Sequence, residues 1–289
     1  MRFVQYSAAK LNLSFRVTRR REDGYHHIVS LFLRLPGVET LSISKAEKGN
    51  EEGDSVRVQG AEVEGENIVS RALRYARDAG CRVPFLDVEI VKNLYPGSGL
   101  GAGSGNGAAI LRWLAGEVEK VPEKEATHLW RNVALKTGAD VPFLFSGLPL
   151  ALVSGVGEIL EPLDPMRLHA VVVFPAWSVK TGSAYERLDH WYRGDYPLSE
   201  TAARSEAEEL CAKLRNGERV GLLPNDFAAE LMDKFPDYGT LFGVLEKIGA
   251  YAWGITGSGG AAFAILRESP SVFAVEWPLG TKQVLSLDV

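Results

Sequence analysis

The composition of the chain is that of a globular protein of moderate size. Its 289 residues suggest about two domains, and 46% hydrophobic with 24% charged residues exclude a disordered or fibrous chain. Asp and Glu total 37 against 32 Lys and Arg, and the net charge of −5 gives no general attraction for nucleic acid or an anionic membrane.

Cysteine usage and the lack of long apolar runs indicate where the protein works. Cys81 and Cys211 show no Cys-x-x-Cys spacing, so neither a disulfide framework nor a structural zinc site is indicated. No run approaches the ~18 apolar residues of a membrane helix, and the N-terminus lacks the apolar core of a secretory signal. These patterns predict a cytoplasmic protein without membrane contact.

The spacing of apolar residues predicts two domains, residues 1–159 and 160–289. In the first we expect strands, helices and buried extended structure in this order: strands over 11–17 and 28–35, a hairpin tip over 47–54, a helix over 68–79, a strand over 86–90, helices over 108–114 and 123–136, and extended structure over 141–145 and 150–153. In the second we expect a strand over 170–174, helices near 199–216, 225–234 and 238–248, and closing strands within 251–266 and over 284–287.

A glycine-rich segment over residues 96–107 lies between the strand ending at Ile90 and a helical pattern from Ala108, and every second residue from Gly97 to Gly107 is glycine. Glycines let backbone N–H groups wrap an anion, and the start of a helix adds partial positive charge. The segment therefore predicts a phosphate-binding loop.

Three phosphate-binding designs compete for this segment. A Walker A loop needs a lysine, and none occurs between Lys92 and Lys120. The spacing Gly97-x-Gly99-x-x-Ala102 matches a dinucleotide-binding fingerprint, but that unit also needs an acidic residue at the end of a second strand, and Glu117 and Glu119 fall inside the predicted helix. The third design is the loop of a small-molecule kinase, which holds ATP through backbone amides and a hydroxyl group.

Lys10 and Asp140 are candidate catalytic residues with two interpretations each. Asp140 directly precedes an apolar run, where desolvation and a nearby cation suit a carboxylate that accepts a hydroxyl proton. It is equally compatible with a turn residue that caps its own backbone. Lys10 shares the polar face of the first strand with Asn12, and taken alone it reads as a solvent-facing lysine.

Five motifs, in this order, resemble the GHMP kinase superfamily. They are Ala9-Lys10-Leu11-Asn12-Leu13, Asp23-Gly24-Tyr25-His26, Gly99-Leu100-Gly101-Ala102-Gly103-Ser104, Gly138-Ala139-Asp140-Val141-Pro142-Phe143 and Thr256-Gly257-Ser258-Gly259-Gly260. The second and fourth are similar to the branch that phosphorylates a cytidine diphosphate-linked methylerythritol. The resemblance implies an α+β fold with two domains, an N-terminal domain like ribosomal protein S5 and a ferredoxin-like C-terminal domain, with the active site between them.

The resemblance also implies the roles of individual residues. Asp140 would be the general base for the substrate 2-hydroxyl, and Lys10 would orient that hydroxyl and offset charge. Tyr25 and Tyr185 would sandwich the cytosine ring and His26 would hydrogen-bond its edge, with Asn12 and Thr181 as further substrate contacts. ATP would be the phosphate donor with Mg²⁺, which Ser104 would contact. The phosphates would be held by Pro96, Gly97, Ser98, Gly99, Leu100, Gly101, Ala102, Gly103, Ser104, Gly105 and Asn106.

The implied function is ATP-dependent phosphorylation of the 2-hydroxyl of 4-diphosphocytidyl-2-C-methyl-D-erythritol in non-mevalonate isoprenoid biosynthesis. One base, one cation and a phosphate cradle suffice for phosphoryl transfer. The alternatives are a GHMP kinase for another small alcohol, a nucleotide-binding regulator that has lost catalysis, and an RNA-binding module, which the acidic charge opposes. We expect a monomer or a weak homodimer that does not bind nucleic acid.

Overall fold

A computed structural model gives the fold of residues 1–46, 53–60, 65–95, 97–117, 123–270, 272 and 275–289, and of residues 123–126 it describes the backbone alone. Pro96 and most of the hairpin tip expected over 47–54 lie outside these ranges. None of the helices in the described ranges is both long and apolar enough to cross a membrane.

Strands and helices both contribute to the fold, which confirms the α+β class. The strands are β1 (Arg2–Arg20), β2 (His26–Lys45), β3 (Ser55–Gln59), β4 (Leu86–Val91), β5 (Leu150–Gly155), β6 (Ile159–Pro162), β7 (His169–Phe174), β8 (Gly221–Leu222), β9 (Ala252–Ile255), β10 (Ala262–Leu266) and β11 (Gln283–Asp288). The helices are α1 (Ile68–Asp78), α2 (Ala102–Glu117), α3 (Glu123–Thr137), α4 (Val141–Ser146), α5 (Thr181–Tyr192), α6 (Glu200–Arg215), α7 (Ala228–Lys234) and α8 (Asp237–Lys247).

The chain forms two compact units whose segments interleave along the sequence. The first unit comprises Met1–Lys10, Leu35–Pro96 and Gly101–Leu148. The second comprises Leu11–Arg34, Gly97–Leu100 and Pro149–Val289. Strands β1 and β2 each contribute to both units, so the chain passes between them several times before residue 150. The predicted division at residue 160 stays a prediction about family domains.

The first unit contains a β-α-β arrangement built from β3, α1 and β4. Strands β3 and β4 are parallel, and β4 also pairs antiparallel with Thr40–Lys45 of β2. The Asn67 side chain accepts a hydrogen bond of 2.8 Å from the N–H of Val69 and so caps α1. Helix α2 is buried on nearly all sides between α1, α3 and α4, which fixes its first turn firmly in the unit.

The second unit is built on a five-stranded sheet in the order β11-β7-β10-β9-β8. All residues of β7 and β10 are buried, as expected of central strands that are covered on both faces. In the same unit, Ile28–Leu33 of β2 pairs antiparallel with β5. Val29 and Leu152 there pack with Ala203 and Ala207 of α6, which gives this part of the unit its own apolar cluster.

Two sequence predictions about local structure were wrong. Residues 141–145 are helical and not extended, because Pro142 suits the first turn of a helix and Gly147 ends it with a left-handed backbone, φ 78°. Helix α2 begins at Ala102 and not near Ala108, so six residues of the predicted loop are helical. Burial of the helix on nearly all sides overrides the low helix propensity of its glycines.

The start of α2 packs so closely on β1 that one of its glycines has no room for a side chain. A β-carbon on Gly105 would overlap the carbonyl oxygen of Ala8, whereas one on Gly103 would meet no atom within 4 Å. We expect Gly105→Ala to lower the free energy of unfolding by ~1–3 kcal/mol through overpacking. Gly103→Ala, on the same turn, should leave it unchanged or raise it, because alanine favours the helix. Thermal unfolding of both variants measures the difference, and equal stabilities would contradict this packing.

Candidate active site

Lys10 and Asp140 face each other within the first unit. Lys10 Nζ lies 3.8 Å from Asp140 Oδ2, and the exposed fractions of the two side chains are 4% and 29%. Lys10 comes from β1, and Asp140 directly precedes α4. The polar face of β1 is therefore buried like its apolar face. The strand pattern alone suggested a solvent-facing Lys10, and the structure places this side chain in the interior. A buried cation beside a partly exposed carboxylate suits chemistry more than stability.

The Asp140 carboxylate does not cap the helix that follows it. Asp140 occupies the N-cap position of α4 with φ −82° and ψ −14°, and its side chain makes no capping hydrogen bond. N-cap residues that use their side chain have extended backbone angles, which this residue lacks. Of the two interpretations of Asp140, the structure favours the one in which the carboxylate is available to another group.

The backbone of the glycine-rich segment runs directly beside this pair. A β-carbon on Gly101 would lie 2.9 Å from Asp140 Oδ2 and 3.3 Å from Lys10 Cε, and the φ angle of Gly101 is 66°. Glycine is therefore needed at this position both for space and for the left-handed backbone. Helix α2, 16 residues long, begins at the next residue. The pair thus lies at a helix N-terminus, where an anion is favoured.

Burial changes the proton affinity of Lys10. Desolvation lowers the pKa of the Lys10 ammonium below its usual value, and the Asp140 carboxylate offsets part of this shift. The lysine therefore loses its charge at a lower pH than a solvent-exposed lysine. Its charge depends on Asp140 or on another anion that binds nearby.

The remaining loop residues of the first unit form the first turns of α2. Ser104 is partly exposed there, whereas Asn106 is buried. Asn106 Nδ2 donates a 2.7 Å hydrogen bond to Oε2 of Glu39, which is fully buried and pairs with Lys92 Nζ at 3.3 Å. The Asn106 side chain thus holds α2 on β2, and the N–H of Asn106 lies beyond the unpaired N–H groups at the start of this helix.

Gly97–Leu100, the first part of the glycine-rich segment, belongs to the second unit. It packs against the glycine-rich turn between β9 and β10. Gly99 has φ 78°, and a β-carbon on it would overlap the carbonyl oxygen of Thr256. Asn225 Nδ2 braces that turn by donating to the carbonyl oxygens of Ile255 at 2.8 Å and Gly257 at 3.0 Å. Ser98 and Leu100 are buried in this contact, while Gly97 is exposed. The two glycine-rich motifs of the sequence are therefore brought together by backbone contact.

Asn12 is buried in a polar network of the second unit. Its Nδ2 donates to Ser30 Oγ at 2.9 Å, its backbone N–H donates to Thr256 Oγ1 at 3.1 Å, and its Oδ1 accepts from the Thr256 hydroxyl at 3.3 Å. Ser30 in turn donates to the carbonyl oxygen of Ser14. The orientation of the Asn12 amide is therefore fixed by partners within the protein.

The predicted nucleobase residues lie in the second unit. The rings of His26 and Tyr185 stack with centroids 4.6 Å apart and an interplanar angle of 24°. Tyr25 is 62% exposed. Thr181 begins α5, and its Oγ1 accepts a hydrogen bond of 3.1 Å from Ser258 Oγ. An exposed tyrosine and a stacked ring pair suit binding of a planar group.

Sequence reasoning missed part of this unit because the pattern did not predict α5. Asp189 lies on α5 one turn after Tyr185, and its Oδ1 is 2.7 Å from His26 Nε2. Tyr196 donates a hydrogen bond to the same oxygen. The four-residue spacing of Tyr185 and Asp189, with Ala184 and Leu188 buried, is the signal that could have revealed both the helix and the acid.

No group of three or more His, Cys, Asp or Glu side chains that could hold a metal ion occurs among the residues the structure describes. Mg²⁺ in phosphate-transfer sites is usually held by one or two protein oxygens together with the phosphates of the nucleotide. The single hydroxyl of Ser104 fits an ion that arrives with a nucleotide, and it does not fit a resident metal centre.

Comparison with known proteins decides the family. The model of the GHMP kinases N terminal domain matches residues 67–147, and that of the GHMP kinases C terminal domain matches residues 201–276. Together the two models cover more than half of the chain. The chain belongs to the GHMP kinase family. The kinase therefore has the two-domain α+β fold that its motifs implied, and it is an ATP-dependent enzyme for a small molecule.

Individual relatives of the kinase extend over nearly its whole length. It is 34% identical to 4-diphosphocytidyl-2-C-methyl-D-erythritol kinase of Thermotoga maritima, covering 90% of each chain. It is 30% identical to the enzyme of the same name from Chlorobaculum parvum, covering 92% of this chain and 89% of the relative. A crystal structure of 4-(cytidine 5'-diphospho)-2C-methyl-D-erythritol kinase matches with a TM-score of 0.70 and 27% identity, covering 93% of this chain and 91% of that one.

Proposed function

We propose that the protein transfers the γ-phosphate of ATP to the 2-hydroxyl of 4-diphosphocytidyl-2-C-methyl-D-erythritol, a step of non-mevalonate isoprenoid biosynthesis. The observation that carries this proposal is the pair of Lys10 and Asp140, 3.8 Å apart beside the start of α2. The names of the relatives, over about nine-tenths of the chain, supply the substrate. A cytidine diphosphate derivative is thus the expected small-molecule partner.

In the proposed mechanism Asp140 is the general base. Its carboxylate accepts the proton of the 2-hydroxyl as that oxygen forms a bond to the γ-phosphorus, and the bond between this phosphorus and the β–γ bridging oxygen breaks to release ADP. Lys10 orients the hydroxyl and offsets the negative charge that builds up around the transferred phosphate. No covalent enzyme intermediate is needed, because both reactants are held in place.

The start of α2 is proposed to hold the phosphates. Backbone N–H groups of Gly101, Ala102, Gly103 and Ser104 belong to a helix N-terminus, which carries about half a positive charge and unpaired donors. Mg²⁺ bound with ATP would supply further charge neutralisation, with the Ser104 hydroxyl as its protein contact. Gly97, Ser98, Gly99 and Leu100, held in shape by the turn after β9, are proposed to complete the loop around the nucleotide.

The second unit is proposed to recognise the nucleobase. Tyr25 and Tyr185 would cover the two faces of the cytosine ring, and His26 would meet its edge, while Asn12 and Thr181 would contact the remainder of the substrate. The exposure of Tyr25 and the stacking of His26 on Tyr185, which holds both rings in a fixed orientation, support this assignment. A substrate without a base, such as mevalonate or homoserine, would gain nothing from these rings.

The experiment that tests the proposal is a coupled ADP-release assay with ATP and Mg²⁺. The cytidylated methylerythritol is compared with mevalonate, homoserine and galactose under the same conditions. We expect turnover with the cytidylated substrate alone. Turnover with another alcohol in place of the cytidylated compound would show that the proposed substrate is wrong and that the proposed phosphate transfer is right. ATP binding without turnover of any substrate would contradict the proposal and favour a regulator that has lost catalysis.

A further inference from the structure

A cluster of charged and aromatic side chains lies behind His26 in the second unit, and the proposed phosphate transfer does not use it. It consists of Asp189, Tyr196 and Arg20. Asp189 Oδ1 lies 2.7 Å from His26 Nε2 and also accepts a hydrogen bond from the Tyr196 hydroxyl. Arg20 Nη1 lies 3.4 Å from Asp189 Oδ2. Two hydrogen-bonding groups and one cation thus converge on one carboxylate.

These three contacts fix the protonation of the cluster. Burial alone would raise the pKa of Asp189, but the hydrogen bonds from Tyr196 and His26 and the charge of Arg20 bring it below its usual value. Burial and the hydrogen bond to Asp189 raise the pKa of Tyr196, so the tyrosine keeps its proton. A carboxylate without a proton can only accept hydrogen bonds. The hydrogen between Asp189 and His26 therefore resides on Nε2 of the histidine.

The position of this hydrogen determines what the other nitrogen of His26 can bind. A neutral imidazole carries one N–H, so a hydrogen on Nε2 leaves Nδ1 as a hydrogen-bond acceptor. Nδ1 has no hydrogen-bond partner within the described part of the chain. The ring plane is held by stacking on Tyr185 at 4.6 Å. His26 therefore presents an oriented acceptor.

We propose that Asp189 is a positioning residue that makes the site select an amino group over a carbonyl group on the nucleobase. This inference rests on the proposed function, in which His26 meets the edge of the base. Cytosine carries an exocyclic amino group, which donates a hydrogen bond to an acceptor such as Nδ1. Uracil has a carbonyl oxygen at the same place, and two acceptors would face each other without a hydrogen. Asp189 thus selects cytidine over uridine without touching the substrate.

The test compares cytidine and uridine diphosphate forms of methylerythritol as substrates and reports the ratio of their kcat/KM values. We expect Asp189→Asn to lower this ratio by about tenfold or more, because an amide can donate to Nε2 and leave the hydrogen on Nδ1. Asp195→Asn makes the same chemical change at an exposed position of the same unit and should leave the ratio unchanged. An unchanged ratio in Asp189→Asn would overturn the inference.

A second measurement does not depend on turnover. The ¹⁵N NMR shifts of the His26 imidazole report which nitrogen carries the hydrogen, and the chain has only 5 histidines, so His26→Gln identifies the signal. We expect hydrogen on Nε2 in the unmodified protein and a different population in Asp189→Asn. Hydrogen on Nδ1 of the unmodified protein would refute the role of Asp189. Failure of the proposed function appears differently, as no turnover of the cytidine substrate by the unmodified enzyme.

Discussion

We expect the Asp140→Asn variant to fold normally and to lose phosphate transfer by a factor of ~10²–10⁴, the range of general-base contributions. The amide has nearly the same shape as the carboxylate but cannot accept the hydroxyl proton. The carboxylate makes no capping hydrogen bond to α4, so its replacement leaves the helix start intact. Steady-state kcat from the ADP-release assay measures the loss, and circular dichroism with thermal unfolding verifies the fold.

Asp78 offers a matched control for this variant. It is an exposed aspartate at the end of α1 in the same unit, and Asp78→Asn should retain the kcat of the unmodified protein. Binding of ATP to Asp140→Asn should persist, because the backbone donors at the start of α2 do not depend on the carboxylate. A kcat near that of the unmodified enzyme in Asp140→Asn would remove Asp140 from the mechanism.

The strands and most helices follow from the sequence because they have a clear period. The buried runs of β7 and β10, and the helical spacing in α1 and α6, are readable in the residues alone. Helix α4 is different, since the five apolar residues 141–145 show no period. Pro142 in the first turn and Gly147 after the last residue decide that this segment is helical. Helix α2 starts early because its neighbours bury glycines that disfavour a helix by themselves.

The proposed catalytic pair could be anticipated only in part. Alternation in β1 puts Lys10 and Asn12 on a polar face, but it does not tell that this face is buried. Lys10 and Asp140 are 130 residues apart, and no local pattern links them. The ordered motifs supply that link. The network of Glu39, Lys92 and Asn106 shows the opposite case. Glu39 and Lys92 carry no motif, the sequence assigned Asn106 to the phosphate loop, and only their contacts in the structure reveal that the three residues fasten α2.

Replacing Lys10 should lower the activity of the enzyme without lowering its stability. We expect Lys10→Met to lose phosphate transfer by ~10²-fold or more, because the charge beside the reacting oxygen is gone while the methionine fills a similar volume. The free energy of unfolding should not fall, because removing a buried ammonium also removes its desolvation cost. Steady-state kinetics and chemical unfolding of the same preparation measure the two effects. A large loss of stability would contradict the view that Lys10 is present for chemistry.

The unfolding free energies of Lys10→Met and of the unmodified protein should depend differently on pH. Because burial lowers the pKa of Lys10, the folded state holds this proton less tightly than the unfolded state, whose lysine has a pKa near 10.5. The cost of burying the charge is therefore complete below the lowered pKa and disappears as the pH rises towards 10.5. Any stability advantage of Lys10→Met should be largest at low pH and shrink through that interval. In parallel, kcat/KM of the unmodified enzyme, which reports groups of the free enzyme, should fall at a pH below 10.5 as Lys10 loses its charge. Lys10→Arg, whose guanidinium stays protonated, should not show this decline in whatever activity it retains.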